Sequence, residues 1–173
     1  MALWSFLEAL VWPIIPDFLL AALVIGSPKV AASALAACVG GSAIGTAILY
    51  RVALARPAEV MGLLRPLPFV FEADIQSVGG RIERQGAWAF MRQPISGIPS
   101  KVWAVVGASK DLRTRDVLPI LMASRAVRMA LIGILAALAG SRFTTIIRER
   151  FLLLLSFYIS AFMVGWARSM HRG

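Results

Sequence analysis

The chain has 173 residues, of which 59% are hydrophobic, with a mean hydropathy of +0.78. Soluble domains of this length are rarely so apolar, so the natural class is an integral membrane protein. The formal charge of +9 suggests a nucleic-acid partner, but the cations are scattered between apolar stretches and form no basic stripe. That pattern excludes nucleic-acid binding and fits loops that face anionic lipid.

In chain order, residues 1–12 are apolar but lack a basic leading region and carry Glu8 inside the run, which predicts mature protein rather than a cleaved signal. They run into Pro13-Ile14-Ile15-Pro16-Asp17, and about ten apolar residues follow before Gly26-Ser27-Pro28-Lys29. Residues 30–50 are long enough to cross a bilayer, which takes about 20 residues at 1.5 Å each. Within them Ala37, Gly41 and Gly45 make a small-residue strip suited to close helix packing. Cys38 is the single cysteine, which rules out an intrachain disulfide. Residues 51–85 contain Pro57, Pro66, Pro68 and Gly79-Gly80 and predict a cytoplasmic connection of short amphipathic helices lying on the headgroups.

A second short apolar arm, 86–93, runs into "PISGIPSK" (94–101), and its return arm ends at "GASKD" (107–111). Each such arm reaches about 15–18 Å, half of a bilayer. Residues 117–139 are a full span despite Arg125 and Arg128, and residues 151–167 are another. Trp4, Trp12, Trp88, Trp103 and Trp166 lie near segment ends or breaks, where interfacial anchors are expected.

The expected architecture is therefore an all-α polytopic membrane protein with a single domain. A first repeat, 1–50, comprises a re-entrant hairpin 1–28 and the span 30–50. A second repeat, 86–140, comprises a hairpin 86–110 and the span 117–139. The connection 51–85 joins them, and the span 151–167 ends the chain. The breaks at Pro13, Pro16, Pro94, Gly97 and Pro99 are tolerable at membrane depth only where protein or water covers them. One span separates the hairpins, so the second must enter from the opposite side, as in inverted-repeat transporters with a midplane site. Lys and Arg then number ten on one face and four on the other, which places the C-terminus in the cytoplasm and the N-terminus outside.

Six ionisable residues fall at membrane depth, each costing about 2.5–3.5 kcal/mol unless partnered. Glu8 and Asp17 flank the first break, Arg92 and Lys101 the second, and Arg125 and Arg128 share one helix face. Four cations against two acids leave an excess of two positive charges, which suits a phosphate group held by guanidinium forks and an ammonium. There is no metal-ligand cluster, glycine-rich phosphate loop or nucleophile–base pair, and His171 is the single histidine. Neither a cofactor nor an enzyme is expected.

The motif order Glu8-x4-Pro13-x2-Pro16-Asp17, then "PISGIPSKVW" (94–103), then Gly107 and "SRAVR" (124–128), resembles the DedA (VTT, SNARE-associated) superfamily, in particular its small YqaA-like branch. The resemblance covers about residues 4–140. It implies two re-entrant hairpins meeting in the membrane and movement or scrambling of lipids, with undecaprenyl phosphate or a phospholipid as substrate and protons as the coupling ion. It puts the acidic roles on Glu8 and Asp17 and the basic ones on Lys101, Arg125 and Arg128. Many relatives have Arg where this chain has Lys101.

The expected function is that of a lipid transporter or scramblase of the bacterial inner membrane. The lipid phosphate is held by Lys101, Arg125 and Arg128 together with Arg92, and Glu8 and Asp17 take up protons. An assembly of several copies is compatible with this reading. A small proton or ion conductance and a non-transporting assembly factor are the alternatives.

Overall fold

The structure is a computed structural model that describes residues 1–10, 17–67, 69–110 and 112–170. The described residues are helical and include no strand. The breaks expected at Pro13 and Pro16 lie outside the described residues.

Helix α1 (Ala2–Leu10) and helix α2 (Asp17–Gly26) are too short to cross a bilayer. A 3-10 turn at Pro28–Val30 leads into α3 (Ala31–Ala55), about 38 Å long at 1.5 Å per residue. Pro57 ends α3, because a proline disfavours helical backbone in the residue before it. Arg56 accordingly sits at φ −140°, ψ 62°, and Pro57 opens α4 (Pro57–Leu64) from its first turn, where its missing N–H costs nothing.

Helix α5 (Glu72–Gln85) has Glu72 and Asp74 in its first turn and Arg84 in its last, each matching the helix dipole. Its apolar stripe, Val78 and Ile82, is buried against the rest of the protein. Within the connection 51–85, α5 therefore spends its apolar stripe on the protein core, while Leu63 and Phe71 stay exposed.

A long 3-10 segment, Gly86–Ile95, follows, and Pro94 lies inside it. Runs of 3-10 helix beyond three or four residues are uncommon and often mark functional or strained chain. The chain then breaks at residues 96–99. Ser96 Oγ donates to the Gln93 carbonyl at 3.0 Å and accepts from Ile98 N–H at 3.2 Å. Gly97 takes φ +72°, which suits a residue with no Cβ. Pro99 then leads into α6 (Ser100–Ser109), in which every residue from Ser100 to Ala108 is buried.

The last helix, α7 (Thr114–Met170), bends at Arg150 (φ −117°, ψ 20°). Adjacent residues of α2 show that it also folds back. Asp17 pairs with Arg128 and Phe18 stacks on Tyr158 at 4.7 Å, yet residues 128 and 158 of a straight helix would lie about 45 Å apart.

Among the described residues, three stretches are long and apolar enough to cross a membrane: Ala31–Ala55, Thr114–Leu138 and Glu149–Ala167. They coincide with the three spans expected from the sequence. No residue in the apolar window of Glu149–Ala167 is buried, so that helix offers most of its surface to lipid.

Two cores hold the helices together. The larger surrounds α6 and draws on α3, α4, α5 and the start of α7, with Trp103, Tyr50 and Phe90 fully buried. Trp103 is thus a core residue rather than the interfacial anchor its position suggested. Its ring meets Phe90 at 5.8 Å, whereas Trp88 is the exposed one. The smaller core joins α2, α3 and α7 through Leu20, Val24, Cys38 and Met129.

Helix α1 docks on α3 through the small-residue strip. A Cβ at Gly41 would lie 2.1 Å from the Ala2 carbonyl oxygen, and one at Gly45 would lie 2.6 Å from that of Phe6. The strip works because two backbones can approach where side chains are missing.

Candidate functional site

Short segments on either side of the two breaks bring charge to one place. Glu8 lies near the end of α1, Asp17 opens α2, Lys101 is in the first turn of α6, and Arg125 and Arg128 lie one turn apart on α7. All five line a single cavity of about 300 Å³. Gly97 and Pro99, from the second break, also face it.

Arg125 is the hub. Its side chain is 7% exposed, and an ion in that environment needs a full set of partners. Nη2 donates to the Glu8 carboxylate of α1, Nε to Ser42 Oγ of α3, and Nη1 to Ser100 Oγ of α6. One guanidinium therefore ties four helices together, using the directions in which its planar fork can donate. Glu8 is itself nearly as buried, at 10%.

Arg128 makes a second, more open pair. Nη2 and Nε both donate to Asp17 Oδ2, at 2.6 and 3.2 Å, and the two side chains are 29% and 22% exposed. Asp17 Oδ1 is buried and accepts no hydrogen bond among the described residues. The carboxylate sits in the first turn of α2, where the positive end of the helix favours a negative charge.

Lys101 is buried to 6% exposure. Its ammonium lies within the electrostatic reach of both Glu8 and Arg125. Arg92 does not belong to this group. It is exposed on the 3-10 segment and does not line the cavity. The cause is local geometry, because a 3-10 turn takes three residues and not 3.6, and the neighbour that faces inward is Gln93. Pro94 is likewise half-buried and off the cavity wall.

Several residues of the site carried no signal in the sequence. Gln93 is buried, and its Oε1 accepts from Ser124 Oγ at 3.4 Å. Ser42 reaches Arg125 across 83 residues of chain, a separation that no local spacing reveals. Phe69 and Phe162 close an apolar side, with ring centroids 5.1 Å apart. Phe69 holds φ at +62°, in the left-handed region that a bulky side chain seldom adopts. The cavity thus has an ionic end and, at Phe69, Met129 and Phe162, an apolar one.

Comparison with family models, curated proteins and solved structures finds no match to this chain. No group of three or more His, Cys, Asp or Glu among the described residues could hold a metal ion. What the site offers is fixed charge: three cations, two carboxylates and neutral donors beside an apolar wall.

Proposed function

We propose that this protein moves phosphate-bearing lipids across a membrane. The observation that carries the reading is the cavity, which sets Lys101, Arg125 and Arg128 beside Glu8 and Asp17 in a chain with three span-length apolar helices. Holding five ionisable groups together in such a chain, three of them buried, is costly unless they act on something that enters. Arginine forks and an ammonium recognise phosphate, and the apolar wall of Phe69, Met129 and Phe162 suits the chain attached to it.

In this scheme the lipid phosphate lies against Lys101 and Arg128 while its tail passes the aromatic pair. Arg125, held on three sides, shapes the site and lends its charge. Protonation of Asp17 or Glu8 releases its arginine toward the phosphate, so proton entry and lipid binding are coupled. The uncommitted Oδ1 of Asp17 is the natural proton acceptor.

The two broken arm pairs are the re-entrant hairpins of an inverted repeat in this proposal. The motif order shared with the DedA superfamily supports the same reading. The membrane is a bacterial inner membrane, with the more cationic face in the cytoplasm.

The test is a fluorescent-phospholipid flip assay in proteoliposomes. Lys101→Ala and Arg128→Ala should each cut transport at least tenfold while the purified protein keeps its monodisperse elution and helical content. Unchanged transport in both variants rejects the assigned site.

A further inference from the structure

The charge of the cavity says which phosphate it fits. Arg92 is exposed and off the cavity, so the two-charge excess expected from the sequence does not hold. The cavity gathers Lys101, Arg125 and Arg128 against Glu8 and Asp17, which leaves one formal positive charge. Among the described residues, every titratable group on its wall is in that set. Glu8 comes from α1, Asp17 from α2, Lys101 from α6 and the arginines from α7. Helix α3 contributes Ser42 to the cluster and the 3-10 segment contributes Gln93, both neutral. Enclosed charge is poorly screened, so the tightest ligand is one that brings the total to zero.

Resting on the lipid-phosphate reading, the geometry points to a site for a singly charged phosphate: a phosphodiester-headed lipid binds as it stands, and a phosphomonoester binds together with one proton. A diester carries one negative charge across the neutral range. A monoester carries about −1.5 to −2 at pH 7, with its second ionisation near pH 6. As a dianion it would overshoot the excess by one charge. It therefore enters as the monoanion, or with a proton on Asp17 or Glu8. Either route takes up one proton per dianionic monoester bound and none per diester. In this site proton coupling is a property of the ligand as well as of the protein.

The experiment measures binding of short-chain phosphatidylglycerol (diester), short-chain phosphatidic acid (monoester) and inorganic phosphate to the purified full-length protein at pH 6 and pH 8. The ratio of monoester to diester affinity cancels titration of the protein that both ligands share. With a second ionisation near pH 6, the bindable monoanion falls from about half to about 1% of the monoester, so the ratio should drop roughly 50-fold between pH 6 and pH 8. Asp17→Asn adds one positive charge at the more open ion pair, and it should flatten that drop and raise monoester affinity at pH 8.

A ratio that stays level in the unaltered protein, with the monoester bound at least as tightly at pH 8, overturns the inference and leaves the lipid-phosphate reading intact. Failure of both lipids to bind overturns that reading itself. Inorganic phosphate binding as tightly as either lipid rejects the lipid as the source of the anion.

Discussion

The two pairs of short helical segments in this protein, α1 with α2 and the 3-10 segment with α6, bring charge to one cavity with different support. The second pair, the 3-10 segment and α6, is enclosed: α3, α4 and α5 wrap it, and α6 buries all but its last residue. The first pair is peripheral. Helix α2 buries three of its ten residues and leaves the other seven half-buried. The enclosed pair carries Lys101 and Ser100, and the peripheral pair carries Glu8 and Asp17. One base of the site, Lys101, is thus built on the enclosed pair, Arg125 and Arg128 come from α7, and both acids come from the first pair.

Arginine 125 is where the comparison breaks most severely, because it joins both pairs. Arg125→Ala leaves Glu8 buried without its counter-charge and should destabilise the protein by about 3–5 kcal/mol, read as a large fall in thermal midpoint in detergent. Next comes the contact that seats α1. Gly45→Val drives side-chain atoms into the Phe6 carbonyl and the Ala9 methyl, 2.6 and 2.8 Å from a Cβ. It should cost about 1–3 kcal/mol by overpacking, and flip rates should fall with it.

A double-mutant cycle sharpens the contrast between the two ion pairs. Coupling between Glu8 and Arg125 should exceed that between Asp17 and Arg128, because the second pair is about a quarter exposed and water screens it. Equal couplings would mean that the Asp17–Arg128 pair is as tightly held as the more buried Glu8–Arg125 pair.

The smallest effect belongs to Glu83, which takes a 2.5 Å contact from Lys110 at the surface of the enclosed pair. The hydrogen bond and charge of Lys110 hold the Glu83 carboxyl below its ordinary value. Its contribution is therefore present above the ordinary carboxylate range and lost as pH falls through the lowered value. Glu83→Gln should remove only a slight acid-limb slope from the stability profile, since both side chains are exposed.

The sequence by itself determined where the chain can cross a membrane. Apolar length put the spans at residues 30–50, 117–139 and 151–167, which overlap the helices Ala31–Ala55, Thr114–Leu138 and Glu149–Ala167, and proline and glycine marked the break before α6. It also singled out six ionisable residues, Glu8, Asp17, Arg92, Lys101, Arg125 and Arg128, because charge within apolar chain is costly and therefore conspicuous, and five of them line the cavity. Polar neutral residues have no such signature, so Ser42, Gln93 and Ser100 passed unmarked among ordinary small and polar positions.

Only the tertiary structure decided which of these groups meet. The pairing of Glu8 with Arg125 closes 117 residues of chain, and no local periodicity encodes such a contact. A 3-10 segment in place of an α-helical arm turned Gln93 inward and Arg92 outward. That rotation changed the net charge of the cavity, and with it the kind of phosphate the site should accept.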